Sequence, residues 1–391
     1  MSVQILKGDA RKLIRTLPDE SVHCVVTSPP YFGLRDYGMA GQIGLEPTPS
    51  AFVAEMVDVF REVRRVLRAD GTLWLVIGDS YARSDKKGGS GFGGKNQKYL
   101  GDNYSRACSD VPPGLKAKDL IGIPWMVAFA LRADGWYLRQ DIIWSKPNPM
   151  PESVTDRCTR AHEYLFVLAK SGDTLLWRHR DTREWVYAEP PPDYVWQHRK
   201  TGAETNEQQA GEDWRRVNLW RGCNYYYDAD AIAEPCSEAT IPRLLRAQES
   251  DARANGVPGQ TPHGLHNPRS RTSDKQRGHG RRHAGFNDRL DQMERSEQCG
   301  GKRNKRSVWS VATQGYPDAH FATFPPALIE PCIKAGTPAG GMVLDPFGGA
   351  GTTGLVADRL QRNAILIELN PEYADMADRR IASDAGMFAG A

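Results

Sequence analysis

The sequence predicts an α/β fold in which a mainly parallel sheet carries helices on both faces. Apolar runs typical of buried strands alternate with amphipathic runs typical of helices, first over residues 1–170 and again over 307–391. The region between them, 171–306, is first aromatic and then polar and arginine-rich. We therefore expect one α/β domain made from two chain segments, with the middle region inserted between its halves.

The first segment begins with two strands. Val3–Lys7 and Val22–Thr27 are short apolar runs of the kind that favours buried strands. A long helix follows, because Thr48 suits a helix cap and Pro49 suits the first turn, and we expect Gly71 to end it. Its apolar stripe consists of Phe52, Met56, Val59, Phe60, Val63 and Leu67. The other elements predicted in this segment are helices at 10–17 and 120–131 and strands at 72–77, 137–144 and 164–169.

The second segment repeats the alternation. Met342–Leu344 is a short apolar strand that leads into a glycine-rich turn, and Pro371 is typical of the first turn of a helix. The elements predicted here are strands at 342–344 and 364–369 and helices at 353–360 and 371–381.

Composition excludes several classes of protein. The 391 residues are 40% hydrophobic and 25% charged, which is typical of a soluble globular chain, and the net charge is +3. The longest uncharged apolar run, 121–131, is too short to cross a bilayer, and the N-terminal residues do not form an apolar signal sequence. None of the seven cysteines forms a C-x-x-C pair. We expect a cytoplasmic protein with reduced thiols, no membrane contact and no metal site.

The second half of the middle region is strongly basic. Residues 239–306 hold 15 Lys and Arg against 7 Asp and Glu. Within them, 247–306 contain too few large apolar residues to form a core, and we expect a loop there. Its densest basic runs are GHGRRH (278–283) and GKRNKR (301–306), which suit phosphate and guanine edges or, alternatively, a solvated surface. The residues predicted to contact DNA here are Arg281, Arg282, Lys302 and Arg303. The aromatic stretch 177–227 is expected to form a small core.

A glycine-rich turn, DPFGGAGTTG (345–354), joins a strand to a helix. Such a turn lets a ligand approach the backbone at a helix N-terminus, and Glu368, at the end of the next strand, is placed to hold a ribose diol. The glycines also satisfy the dinucleotide pattern G-x-G-x-x-G, and a plain tight turn has the same composition. From the glycines alone these three interpretations stay open.

A proline pair follows the second strand in the sequence TSPPY (27–31). Two prolines cannot extend a sheet, so they fix an irregular turn whose carbonyl groups are available as acceptors. The Ser28 hydroxyl and the Pro29 carbonyl suit the two N–H bonds of an exocyclic base amine, and Tyr31 offers an aromatic face to a base taken out of the duplex. The alternative is a strand that simply ends at its prolines.

Both motifs resemble those of one enzyme family. Asp-Pro-Phe-x-Gly-x-Gly resembles the S-adenosylmethionine loop of DNA amino-methyltransferases, and TSPPY resembles their catalytic motif. The catalytic motif precedes the cofactor loop, as in the β class of these enzymes. The resemblance implies a circularly permuted Rossmann-like methyltransferase fold with an inserted target-recognition region. It also implies S-adenosylmethionine as cofactor, duplex DNA as substrate and a flipped target base, without a metal or a covalent intermediate.

The resemblance also implies the site residues. Ser28, Pro29, Pro30 and Tyr31 are expected to be catalytic. The cofactor is expected to contact Asp9, Thr27, His320, Thr323, Phe324, Asp345, Pro346, Phe347, Gly349, Gly351, Thr352, Thr353, Glu368 and Asn370. Asp9 also fits a plain helix cap, and Phe324 also fits core packing. At the tip of a predicted hairpin, Lys146 and Asn148 are expected to contact DNA, although Lys146 also fits an ordinary turn residue.

The methylated base and the assembly are less sharply defined. Ser28 favours N4 of cytosine, whereas the number of adenine enzymes in the β class favours N6 of adenine, and the prediction is N6 of adenine. Open alternatives are a non-catalytic DNA-binding regulator, a nicotinamide dehydrogenase and an RNA methyltransferase. The resemblance further implies a homodimer that pairs through the helices near 320–334 and 353–362.

Overall fold

A computed structural model of the chain describes residues 2–82, 111–199, 202–209, 211–235, 302–315 and 323–388. From the sequence we also expect a loop at 84–110. It lies outside these residues, as do most of the loop predicted at 247–306 and the residues Arg281, Arg282 and His320. The chain forms two compact units. The first consists of Met1–Leu176, Cys223–Ala231 and Arg306–Ala391, and the second of Trp177–Gly222 and Ile232–Lys305. Segment 223–231 therefore belongs to the first unit, whereas the sequence predicts an unbroken middle region over 171–306.

The elements of the described chain follow the predicted alternation. The strands are β1 (Val3–Lys7), β2 (Val22–Thr27), β3 (Leu67–Ile77), β4 (Tyr137–Ser145), β5 (His162–Ala169), β6 (Leu176–His179), β7 (Trp185–Val186), β8 (Tyr194–His198), β9 (Glu204–Thr205), β10 (Trp214–Asn218), β11 (Trp220–Cys223), β12 (Glu234–Pro235), β13 (Lys302–Arg303), β14 (Val308–Ser310), β15 (Met342–Asp345) and β16 (Asn363–Glu368). The α-helices are α1 (Ala10–Leu13), α2 (Pro49–Val66), α3 (Ile123–Ala133), α4 (Pro326–Gly336), α5 (Thr352–Arg359) and α6 (Pro371–Phe388).

The first unit contains an eight-stranded sheet in the order β1-β16-β15-β2-β3-β5-β4-β14. Its first five strands are mutually parallel, β5 is antiparallel to β3 and β4, and β14 is parallel to β4. β1 pairs with β16 from Val3 opposite Ala364 to Lys7 opposite Glu368. The N-terminal strand thus completes the half of the sheet that the C-terminal segment builds. This order confirms the predicted permuted α/β fold.

Side chains alternate between the two faces of β3 and so separate two cores. Leu73, Leu75 and Ile77 pack in one cluster with the apolar stripe of α2 and with α3. Thr72 and Trp74, which alternate with these residues along β3, face Gly336 at the end of α4, on the other side of the sheet. The predicted stripe residues of α2 are all buried: Phe52, Met56, Val59, Phe60, Val63 and Leu67.

The end of α2 differs from the prediction. The helix stops at Val66, and the chain becomes extended at Leu67, which already pairs with Val22 of β2. Gly71, predicted to end the helix, instead lies inside β3, where a Cβ atom would sit 2.6 Å from Leu67 Cγ and 2.9 Å from the His23 carbonyl oxygen. Pairing with β2 overrides the helical pattern, and the glycine is needed because the strands approach closely there.

The second unit consists of small antiparallel sheets. β8 lies between β10 and β9, β6 lies between β11 and β7, and β12 pairs with β13. Among its described residues the buried ones include Val195, Gln197 and Leu219, whereas all five tryptophans of the stretch are only half-buried. Tyr227 belongs to the first unit, where its ring stacks on Trp74 at 6.2 Å. The aromatic stretch 177–227 is therefore not the continuous core that the sequence predicts.

A single glycine tests the packing of α4 on the sheet. A Cβ atom at Gly336 would lie 2.6 Å from Cys24 Sγ and 2.9 Å from Thr72 Oγ1, and both neighbours are buried. We expect Gly336→Ala to lower the free energy of unfolding by about 1–3 kcal/mol in urea titrations. Gly315→Ala is the control, because no atom of the described residues lies within 4 Å of its added methyl group. Equal stability of the two variants would contradict this packing.

Candidate active site

The predicted site residues gather at one edge of the sheet. β1, β16, β15, β2 and β3 run parallel, so their carboxyl ends lie side by side, which is where open α/β sheets bind ligands. The segments that leave this edge are 8–9 after β1, 28–31 after β2, 346–351 after β15 and 369–370 after β16. The fold therefore brings the two sequence motifs together although more than 300 residues separate them.

A buried carboxylate joins the two motifs. Asp345 Oδ1 accepts hydrogen bonds from the Thr27 hydroxyl (2.6 Å) and the Phe347 backbone N–H (3.0 Å), and Oδ2 accepts one from the Thr353 hydroxyl (2.6 Å). Burial raises the pKa of Asp345 to about 6, against the effect of these three donors. All three side chains of this junction are buried: Asp345, Thr27 and Thr353. They therefore support the loop from the protein interior.

The glycine loop has the backbone that a bound nucleoside cofactor requires. Gly349 and Gly351 have φ values of +49° and +74°, in the left-handed region that favours glycine, and Gly351 directly precedes α5. The Gly348 N–H donates to the Ile367 carbonyl at 2.8 Å, which fixes the loop to β16. The loop thus presents backbone at a helix N-terminus, where an anionic group is favoured.

Glu368 lies at the end of β16 beside this loop. Its carboxylate accepts hydrogen bonds from the Gly349 N–H and the Asn370 N–H, both at 2.8 Å. Burial raises the pKa of Glu368 above its usual value, and the carboxyl of Asp345 acts in the same direction. An acid held at the strand end suits the ribose diol of S-adenosylmethionine. The Asn370 side chain accepts from the Glu372 N–H at 2.9 Å and so caps α6.

Asp9 acts as a helix cap in this structure. Its side chain accepts from the Arg11 N–H at 2.9 Å and forms an ion pair with the Arg11 guanidinium at 2.8 Å. Burial acts to raise the pKa of Asp9, but the hydrogen bonds and charge of Arg11 outweigh it and hold the pKa below its usual value. Arg11, which sequence reasoning missed, also reaches Glu55 and the Gly41 carbonyl. Contact of Asp9 with the cofactor stays a prediction.

The TSPPY turn forms the other half of the site. Pro29 is buried, whereas Ser28, Pro30 and Tyr31 are half-buried at the edge of the sheet. The Tyr31 hydroxyl donates to Glu163 Oε2 at 2.7 Å and lies 3.5 Å from the Ser28 hydroxyl. Its ring lies against Gly78, just after β3, where a Cβ atom would be 2.5 Å from Tyr31 Cε2. Neither Glu163 nor Gly78 is predicted from the sequence, because no motif or spacing near them indicates a contact with Tyr31.

The hairpin residues predicted to contact DNA have partners inside the protein. The Lys146 ammonium pairs with Glu163 Oε1 and lies 4.3 Å from the centre of the Trp144 ring. The Asn148 side chain exchanges two hydrogen bonds with the Thr313 backbone, at 2.9 and 3.2 Å. In this structure both side chains hold the hairpin, and a contact with DNA stays a prediction.

The segment before α4 lies beside a separate cavity. Thr323 and Phe324 line a cavity of about 360 Å³ together with residues of α5 and α6, among them Arg359 and Arg380. The Arg380 guanidinium donates to the Thr352 hydroxyl and to the Ala350 carbonyl, both at 2.9 Å. Thr352 is therefore buried behind the glycine loop, and cofactor contacts of Thr323 and Phe324 stay predictions.

The basic residues are only partly described. Arg281 and Arg282 lie outside the described residues, and the side chain of Lys302 is likewise not described. Arg303 lies 3.6 Å from Glu234, and Lys305 lies 3.4 Å from the same carboxylate. One acid thus partly balances this basic run.

In the described part of the chain, no group of three or more His, Cys, Asp or Glu side chains is arranged to hold a metal ion. No helix in the same residues is long and apolar enough to cross a membrane.

The fold and the site define a class of protein. A permuted α/β domain that brings a DPFGGAG loop and a TSPPY turn to one sheet edge defines an amino-methyltransferase of the β-class type. The DNA methylase model of the N6/N4 family matches residues 22–379, and the chain belongs to that family. It is a DNA methyltransferase, and the cofactor of this methylase family is S-adenosylmethionine.

The chain is similar to several individual proteins. The chain is 39% identical to the Type II methyltransferase M.SmaI of Serratia marcescens over 97% of this chain and 91% of that protein. It is also similar in fold to the PvuII DNA methyltransferase (cytosine-N4-specific), with a TM-score of 0.50 and 15% identity. The alignment covers 98% of this chain and 91% of that protein. A third likeness is to the protein TTHA0409 of Thermus thermophilus in its structure with S-adenosyl-L-methionine. The TM-score is 0.48 and the identity 21%, and the alignment covers 98% of this chain and 94% of that protein.

The raised pKa of Asp345 predicts a pH dependence of stability. Its folded-state pKa, about 6, exceeds the usual 3.8, so the folded chain binds more protons in this window and loses stability as pH rises from about 4 to 6. Asp345→Asn removes this group. We expect the unfolding free energy of the wild type minus that of the variant to fall by about 2–4 kcal/mol between pH 4 and 7. Urea titrations at several pH values measure it, and a constant difference would contradict the buried carboxylate.

A substitution in the loop tests the cofactor site. Gly349→Asp places a side chain and a negative charge where the backbone must approach the ligand, so we expect at least about a tenfold loss of S-adenosylmethionine affinity in calorimetry. Gly340→Asp is the matched control, because Gly340 also has a positive φ (+72°) but is exposed, with no atom within 4 Å of an added Cβ. Unchanged affinity of Gly349→Asp would contradict the assigned loop.

Proposed function

We propose that this DNA methyltransferase modifies the exocyclic amine of a base flipped out of duplex DNA, with N4 of cytosine as the acceptor. The observation that carries the proposal is the junction at Asp345, whose carboxylate holds both the TSPPY strand through Thr27 and the glycine loop through Phe347 and Thr353. It fixes the base-binding turn beside the cofactor loop. Methyl transfer requires this proximity, because donor and acceptor must meet in line.

The TSPPY turn has the groups that amine chemistry needs. An exocyclic amine is a poor nucleophile because its lone pair is delocalised into the ring. In the proposed role, the Ser28 hydroxyl and the Pro29 carbonyl accept its two N–H bonds and so expose the lone pair. The half-buried Tyr31 ring receives the flipped base by stacking, worth about 1–3 kcal/mol. S-adenosylmethionine, held by the loop and Glu368, supplies an electrophilic methyl group when bound.

The choice between the two bases rests on Ser28. This serine favours cytosine, whereas the number of adenine enzymes in the β class favours the N6 of adenine that the sequence predicts. A residue of the site itself is more direct support than the frequency of a class. The cytosine-N4 specificity named for the PvuII enzyme, which resembles this chain in fold, points the same way. N6 of adenine is the second candidate.

The partners of the enzyme follow from the same proposal. M.SmaI is a Type II methyltransferase, so we propose a role in restriction-modification for this chain as well. The middle region is proposed to read the target sequence, with Arg281 and Arg282 on phosphate or guanine. A homodimer stays a prediction. Among the described residues, the large exposed apolar side chains belong to segments other than α4 and α5: Leu120, Phe129, Tyr137, Met150, Tyr187, Tyr194 and Val308.

Product analysis tests the proposed function. Purified protein is incubated with labelled S-adenosylmethionine and unmethylated plasmid DNA, and the DNA is digested to nucleosides for mass spectrometry. We expect the label in N4-methyldeoxycytidine. We also expect Ser28→Ala to slow single-turnover transfer by about tenfold or more, because one acceptor for the amine is lost. Label in N6-methyldeoxyadenosine would restore the sequence prediction, and label in a ring-carbon product or in no nucleoside would overturn the proposal.

A further inference from the structure

A short polar chain links the TSPPY turn to the hairpin of β4 and β5. Glu163, on β5, uses one carboxylate oxygen for the Tyr31 hydroxyl at 2.7 Å and the other for the Lys146 ammonium. The side chains of Glu163 and Lys146 are only 17% and 18% exposed, so solvent screens this pair far less than a surface ion pair. The carboxylate is thus shared between a ring at the site and a cation on the hairpin.

The strand register explains how these residues meet. Trp144 lies opposite Glu163 in the antiparallel pair, and the Lys146 N–H donates to the Ala161 carbonyl at 2.8 Å. Tyr31 follows β2, which does not pair with β5, so its ring must cross the end of β3 to reach Glu163. Gly78 lies at that crossing, and any Cβ there would be 2.5 Å from the ring. The orientation of the Tyr31 ring is therefore fixed by its contact with Gly78 and by the hydrogen bond from its hydroxyl to Glu163.

The charged groups that link Tyr31 to the hairpin, Glu163 and Lys146, have defined roles. Burial, together with the charge of Glu163, holds the pKa of Tyr31 well above its usual value, so the phenol stays protonated and donates its proton to the carboxylate. The Lys146 ammonium balances the second oxygen and packs over Trp144. Lys146 is thereby held within the protein, whereas a lysine that only neutralises phosphate would point into solvent.

We propose that Glu163 is a positioning residue for the target base: it holds the Tyr31 ring in its base-receiving orientation and holds Lys146 beside it. The inference rests on the proposed base-binding role of the TSPPY turn. Glu163 acts through Tyr31 and need not touch base or cofactor. Its loss slows the methyl transfer that depends on ring placement, and it leaves cofactor affinity, which depends on the Asp345 junction and Glu368, unchanged.

The experiment is a set of single-turnover methyl-transfer assays with the full chain, labelled S-adenosylmethionine and unmethylated plasmid DNA. We expect Glu163→Ala to slow transfer by about 10- to 100-fold, because small misplacements of a reacting group have costs of this size. Glu163→Gln keeps an oxygen for the Tyr31 hydroxyl, so it should restore most of the rate. Affinity for S-adenosylmethionine should stay within twofold of the wild type in both variants.

A double-mutant cycle separates positioning from a general loss of structure. If Glu163 acts through Tyr31, the variant with both Tyr31→Phe and Glu163→Ala should be no slower than the slower single variant, because both changes break the same hydrogen bond. The control is Glu62→Gln on α2, which breaks a similar half-buried ion pair, with Arg65 at 2.9 Å, and should transfer at the wild-type rate.

Each outcome has a defined meaning. Wild-type transfer by Glu163→Ala, additive effects in the cycle, or equal rates for Glu163→Gln and Glu163→Ala would overturn the positioning role alone. Loss of S-adenosylmethionine affinity in Glu163→Ala would also overturn it, because a general structural role would then explain the rate. A wild-type chain that methylates no DNA would overturn the proposed function, and this inference with it.

Discussion

The buried carboxylate of Asp345 is the interaction on which the rest of the site depends. It accepts from Thr27, Phe347 and Thr353, and thereby ties the end of β2 to the glycine loop and to the first turn of α5. Among the described residues, the groups that lower its pKa are these three hydrogen-bond donors, which offset part of the cost of burying the acid. That cost is tolerated because the contact aligns two motifs from opposite ends of the chain.

Circular permutation of the fold makes such a junction necessary. β1 comes from the N-terminus and β16 from the C-terminal segment, yet they pair as neighbours, and β15 inserts beside β2. Parallel pairing sends all their carboxyl ends to one edge. The site is thus assembled entirely within the first compact unit, although the second unit lies between its two halves in the sequence.

At this edge of the sheet, carboxylates form hydrogen bonds and ion pairs with backbone N–H groups and neighbouring side chains. Asp9 caps α1 and binds Arg11, Glu368 holds the N–H groups of Gly349 and Asn370, and Glu163 holds Tyr31 and Lys146. Each interaction restrains a turn or a ring. Preorganisation of this kind suits methyl transfer, because the methyl donor and its acceptor must be aligned before they react.

The sequence by itself determined the fold class, the permuted order and the place of both motifs. The fold class and the turns follow from local rules: strand and helix periodicity, glycine-rich turns, and prolines that end a strand. The permuted order follows from the resemblance of the two motifs to those of the β class. Only the tertiary structure decided that α2 ends at Val66, that Asp345 is buried as a junction, and that Glu163 holds Tyr31 from 132 positions away. Such contacts depend on strand order and register, which local patterns do not encode, and therefore only the assembled sheet reveals them.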